Sequence, residues 1–254
     1  VEPWSQRIVL DWVTELRFYE QRIEVLRAVK DEGLLHAFVV TESDVRGRLG
    51  GDECEMILAP GLLDITLFTP KVDLARVWRA VEIAMRAVQP ERPGGFRTLF
   101  QHLVPLELEF DAALARGRER LFRLPLPVGD VDSTDWAMTV DLVEREDAAV
   151  AAQAEFGIVR RDEIPARLQR AIGRMRPFAG SPGGAANLDM AQFADVSLFA
   201  DSTWRRPYVG DGSFCDAALQ FLKASRTRAD GVVEGLHVAL TNDEEKTMRK
   251  VLPQ

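Results

Sequence analysis

Two periods of hydrophobicity divide the chain. Leu74, Val77, Trp78, Val81 and Met85 recur at three- and four-residue spacing, which places them on one face of an amphipathic α-helix over Leu74–Val88. The Pro90 to Gly95 cluster ends that helix, since proline lacks the backbone donor a further turn needs. Residues 62–68, just before it, form a short apolar run that reads as a strand. The same order returns later, with a strand over 195–202 and a long helix from Phe214 towards His237.

Elsewhere the period is nearer two. Residues 7–19 are β-branched and aromatic with partial alternation, predicting a strand that leads into a helix over 20–31, closed by Gly33. Residues 35–49 alternate through His36, Phe38, Val40 and Val45, and Gly50-Gly51 supplies a hairpin turn before 53–58, so a meander is expected. Residues 96–109 read as a strand pair or one long strand interrupted at Pro105, followed by a helix over 111–122. A strand over 136–144, a strand or helix over 148–158 and a helix over 164–175 come next. The glycines and prolines of 177–186 predict a loop, as do the polar residues 204–213, and Thr241-Asn242-Asp243-Glu244 is a capping start for a short last helix.

These elements predict an α+β protein of two similar halves, each an antiparallel sheet with helices packed on one face. The halves are residues 1–123 and 133–254, joined by a stiff connector at 124–132, where Leu124-Pro125-Leu126-Pro127 precedes Gly129-Asp130. They pack as one compact body or hinge about the connector. The implied pseudo-duplication is one of elements and not of letters.

Composition narrows the function classes. At 254 residues and 46% hydrophobic, the chain can bury a large core, and a net charge of -8 opposes non-specific binding to phosphate backbones. Nucleic acid is therefore a disfavoured partner. The densest basic cluster, Arg160, Arg161, Arg167, Arg170, Arg174 and Arg176, is interleaved with acids and reads as a solvated face with counterions. Cys54 and Cys215 stand far apart, outside any metal-binding or disulfide spacing, and suit two reduced thiols. No apolar run reaches membrane-spanning length and no basic-then-apolar leader opens the chain, although it starts at Val1 and not Met. A cytoplasmic location with no membrane partner is expected.

Candidate chemistry is sparse. Glu107, Glu109 and Asp111 alternate along the expected strand, which would set three carboxylates on one face about 7 Å apart in successive pairs. That row is a metal candidate if another oxygen or His102 converges on it, and otherwise a solvent-facing side opposite Leu106, Leu108 and Phe110. His36, Glu42 and Asp44 share strand parity with Phe38 and Val40, so a histidine at the core edge is the simpler reading. His102 and His237 have no partner at metal-ligand spacing. Cys215, at a predicted helix start, is either a thiol activated by the helix N-terminus or a small buried hydrophobe.

Gly180-Ser181-Pro182-Gly183-Gly184 lacks the Lys-Ser/Thr ending of a nucleotide loop, and no nucleophile elbow is present. No cofactor is called for. Trp204, Arg205, Arg206 and Tyr208 combine stacking surfaces with guanidinium groups, chemistry suited to partner carboxylates, and are the first choice for a recognition surface. The alternative is a Trp and Tyr folded on the core with the arginines in solvent.

The C-terminal stretch FLKASRTRADGVVEGLHVALTNDEEKTMRKVL resembles the close of a sporadically distributed family of bacterial proteins of unknown function, whose members end in a helix, a threonine-started break and a final helix. The resemblance implies a bacterial origin and carries no catalytic residue. The expected function is a non-enzymatic protein-binding or assembly module of a bacterial cytoplasmic system, acting on a protein partner or through self-association into an oligomer. The alternatives are a carboxylate-dependent metal-assisted enzyme at Glu107, Glu109 and Asp111, and a small-ligand-binding protein.

Overall fold

Among the described residues of the chain's computed structural model, nine antiparallel strands form one sheet in the order β2-β3-β4-β5-β1-β6-β9-β8-β7, accompanied by five α-helices. The structure describes residues 2–14, 18–49, 54–68, 73–122, 137–144, 147–172, 189–210 and 212–241. The connector 124–132, the loop 177–186 and the residues from Asn242 onward lie outside them.

The chain opens with β1 (Ser5–Trp12) and α1 (Phe18–Asp31), then runs through β2 (Leu35–Val40), β3 (Val45–Leu49), β4 (Cys54–Ala59) and β5 (Leu62–Leu67) to α2 (Leu74–Val88). Residues 35–49 thus make two strands, because Thr41 turns the chain: its backbone N–H donates to the Asp44 carbonyl and its hydroxyl oxygen accepts from the Asp44 N–H. The α2 span is the one the apolar spacing predicts. Asp73 caps it by accepting from the Ala75 and Arg76 amides, and Val77, Trp78, Val81, Ala84, Met85 and Val88 are buried along its inner stripe.

The second sequence stretch contains β6 (Pro93–Pro105), α3 (Phe110–Gly117) with a π-helical turn to Phe122, β7 (Ala137–Val143), β8 (Ala151–Arg160), α4 (Ile164–Ile172), β9 (Val196–Pro207) and α5 (Phe214–Thr241). Ser213 caps α5 by accepting from the Asp216 amide. Two expectations need correction here. Residues 204–207 belong to β9 and not to a loop, since β6 pairs Thr98 with Trp204 and Gly95 with Pro207. Strand β6 ends at Pro105; the Leu106 N–H donates to the Val196 carbonyl, and the chain turns into α3.

Strand alternation divides the sheet into two faces. One face carries Ile8, Leu10, Met56, Leu63, Ile65, Phe96, Phe100, Leu198 and Trp204, and these pack with α1, α2, α3 and α5 in two hydrophobic clusters. The helix α4 does not follow the expectation of helices on one face: its Ile164 and Leu168 pack with Val159 and Phe199, whose parity is opposite to that of Ile158 and Leu198. Among the described residues α4 packs on that second face over β8 and β9, with Leu103 of β6 and Trp4 at its margin, and the rows across β5, β1 and β6 mix Arg7, Asp64, Thr66 and Arg97 with Val9 and Leu99.

Candidate functional site

The register of the central strands assembles the second face row by row. Thr66, Arg7, Leu99, Thr203, Gln153 and Asp141 form one row across β5-β1-β6-β9-β8-β7. Asp64, Val9, Arg97, Arg205 and Ala151 form the next, and Ser5, Gln101, Asp201, Glu155 and Thr139 the one on the other side. A sheet covered on both faces by helices reads as continuous apolar strands, and the polar alternates here reflect a half-open face.

Under α4 this face holds a connected polar chain. Ser5 Oγ donates to Gln101 Oε1 at 2.5 Å, and Gln101 Nε2 donates to Asp201 Oδ1 at 3.4 Å. Arg167 Nη2 donates to Glu155 Oε1 at 2.5 Å, while its Nε lies 3.9 Å from Asp201 Oδ2. Burial pushes the Asp201 carboxyl up to about 6, and the Arg167 charge and the Gln101 hydrogen bond only partly oppose it.

Beyond α4 the face is arginine-rich. Arg7 bridges β1 to β5, its Nε and Nη2 both donating to the Asp64 carboxylate, with the shortest contact 2.5 Å. Arg97 and Arg205 lie directly opposite one another on β6 and β9. Both are exposed, and neither forms an ion pair among the described residues. A hollow of about 60 Å³ opens beside them, lined by Arg7, Val9, Arg97, Leu99 and Thr203.

The predicted recognition residues divide between the two faces. Trp204 is buried on the helix-covered face, its indole N–H donating to Ser202 Oγ. Tyr208 follows β9, stacks edge-on against Phe96 and Phe214, and donates its hydroxyl to the Gly212 carbonyl. Arg206 pairs with Asp147 at 3.0 Å. Arg205 alone of the four points to the open arginine face, because alternation sets it opposite in direction to Trp204 and Arg206.

Glu107, Glu109 and Asp111 do not share a strand face. Glu107 sits in a bend, Glu109 precedes the first turn of α3 and Asp111 lies within it, while Leu106 and Phe110 are buried. Among the described residues no group of three or more metal-ligating side chains converges. His36 is exposed on β2, and Asp44 pairs with Arg46 at 2.9 Å, which holds its carboxyl below the usual range. In the basic cluster Arg160, Arg161 and Arg167 each pair with a carboxylate, from Glu163, Asp195 and Glu155.

Cys215 is not an activated thiol. Burial pushes it up to about 11, and Cys54, in the core, up to about 12. His102 has a partner that its sequence neighbourhood does not show: Nε2 lies 2.9 Å from Asp230 Oδ1 on α5, 128 positions away, with the imidazole fully buried. Burial lowers its pKa, and Asp230 opposes that effect. With Thr98 Oγ1 donating to Ser225 Oγ at 3.0 Å, this pair fixes α5 on β6 and faces the core.

Sequence reading missed the arginine face because its members lie in three separate strands, and only the strand order makes Arg7, Arg97 and Arg205 neighbours. No helix among the described residues is long and apolar enough to cross a membrane. No protein-family model matches the chain, and no curated protein matches it.

Proposed function

We propose that the protein is a non-enzymatic binding or assembly module that takes an acidic segment of a protein partner on the open face of its sheet. The observation that carries this reading is the Arg97–Arg205 pair. Like charges directly opposite on neighbouring strands repel, and on this face Arg7, Arg46 and Arg167 each have a carboxylate while these two have none among the described residues. Carboxylates brought by a partner complete the pattern. The C-terminal resemblance and the two free thiols support a bacterial cytoplasmic setting.

The same reading includes a pseudo-duplicated architecture. With the boundary drawn between α2 and β6 in place of the 124–132 connector, and with β2 and α4 left without counterparts, β1-α1-(β3-β4-β5)-α2 corresponds to β6-α3-(β7-β8-β9)-α5, and the sheet order β3-β4-β5-β1 mirrors β6-β9-β8-β7 about the antiparallel β1–β6 pair. The arginine face then straddles the junction of the two units, where an assembly module would present one shared surface.

Fluorescence anisotropy with a labelled oligo-glutamate peptide tests the docking face. Saturable, salt-sensitive binding that weakens at least tenfold in Arg97→Ala/Arg205→Ala, and is unchanged in Arg79→Ala on the other face, is the expected result. Equal binding by all three proteins, or none by the wild type, removes the reading.

A further inference from the structure

The hollow beside the arginine pair has the size and chemistry of a seat for one oxyanion. We infer that Arg7, Arg97, Arg205 and Thr203 form a binding site for a single carboxylate or phosphate group, which sits over Leu99 and Val9. The inference rests on the docking reading above and assigns to it the one place where the partner's charge is held.

The geometry argues for a seat and not merely a positive surface. Asp64 accepts from Nε and Nη2 along one edge of the Arg7 guanidinium, so that side chain is held in place before any ligand arrives. An arginine offers five N–H donors. Arg7 therefore keeps three with no partner among the described residues, and the side chain that carries them lines the hollow. A side chain immobilised in advance loses little further entropy on binding, which favours a small ligand.

Arg97 and Arg205 supply the charge. Side chains directly opposite on antiparallel strands have Cβ atoms about 5 Å apart, so both guanidiniums reach one group placed between them. Thr203, in the adjacent row, adds a hydroxyl donor, and Leu99 and Val9 line the hollow beside it. A volume of about 60 Å³ suits a small anion head group within the hollow itself. The occupant's bulk must then lie on the open sheet, as a peptide side chain or a phosphorylated residue would.

Inorganic phosphate and free glutamate, titrated separately into the full chain and followed by NMR of the arginine side-chain N–H signals, test the seat. Saturable shifts at Arg7, Arg97 and Arg205, absent in Arg97→Ala/Arg205→Ala and kept in Arg79→Ala, are expected. Tighter binding of phosphate marks a phosphorylated source, and tighter binding of glutamate an acidic peptide. A thermal midpoint that rises with the tighter anion in the wild type and not in the double variant supports the same site, since a ligand of the native state raises stability.

The absence of saturable shifts with either anion, up to tens of millimolar, overturns the seat. If the oligo-glutamate peptide still binds through Arg97 and Arg205 in that case, the docking face stands without it. Phosphate binding with no peptide binding does the reverse. Removing two mutually repelling charges should not unfold the double variant, and its urea midpoint, equal to or above that of the wild type, confirms that lost binding is not lost structure.

Discussion

The guanidinium carbon of Arg167, on α4, lies 3.4 Å from the centroid of the Phe199 ring on β9, so a cation–π contact joins the sheet to the only α-helix among the described elements that packs on its second face. The same guanidinium reaches Glu155, and its side chain is only 14% exposed. One residue thus holds α4 by charge and by ring contact together.

Arg167→Ala is expected to lower stability by about 1–3 kcal/mol, because it removes the ring contact and leaves Asp201 and Glu155 facing each other without a counter-charge. Arg167→Lys should recover only part of this, since an ammonium cannot stack flat on Phe199 while bridging to Glu155. Urea titration gives the magnitude. Hydrogen exchange should place the loss first in α4, ahead of α2 or α5.

Asp201 and His102 bend the pH profile in opposite directions. Asp201 is pushed up to about 6 in the fold against 3.8 unfolded, so the folded state binds the extra proton. Its contribution is present below 3.8 and is lost as pH rises through about 6. His102 is lowered from 6.5, so the unfolded state binds the extra proton, and its contribution is present above 6.5 and is lost as pH falls towards its folded value. Asp201→Asn should therefore be more stable than wild type at pH 7 by about 1–2 kcal/mol, with the difference vanishing near pH 4. His102→Gln should flatten the loss on the acid side instead. Urea midpoints measured from pH 4 to pH 8 separate the two.

Neither thiol should behave as a nucleophile. With Cys215 at about 11 and Cys54 at about 12, the thiolate fraction at neutral pH is more than about a hundredfold below that of a free cysteine. Iodoacetamide labelling of the native protein, read by mass spectrometry, should be slow at Cys215 and slower at the fully buried Cys54. Labelling in denaturant should be fast at both.

Two backbone positions have opposite sensitivities. Gln89 closes α2 at φ 45°, a left-handed conformation that glycine adopts without a side-chain penalty, so Gln89→Gly should stabilise by about 0.5–1 kcal/mol. A Cβ on Gly95 would stand 2.7 Å from the Arg206 carbonyl oxygen and 3.1 Å from Pro207 Cα. Gly95→Ala should therefore cost about 1–3 kcal/mol by forcing β6 and β9 apart beside the arginine pair. Thermal unfolding of each variant measures both.

The features legible in the order of residues are local ones. The apolar stripe of α2, the Gly33 stop after α1, the hydrophobic run of β5 and the start of α5 at Phe214 all depend on neighbours within a turn or a strand length. Those interactions are fully written in the order of residues, and the α+β class follows from them.

The lateral relations between strands and helices come from the fold alone. Residues 204–207 look like a polar loop until β6 supplies their backbone partners, and Glu107 looks like a strand residue until the Leu106 amide bonds to Val196 and turns the chain. His102 looks solitary until α5 brings Asp230 to it. The arginine face is the clearest case, since Arg7, Arg97 and Arg205 become neighbours only because β1 pairs with β6 and β6 with β9. Strand pairing is set by burying one face of every strand at once, over separations of about a hundred residues, and no local period encodes which strand will lie beside which.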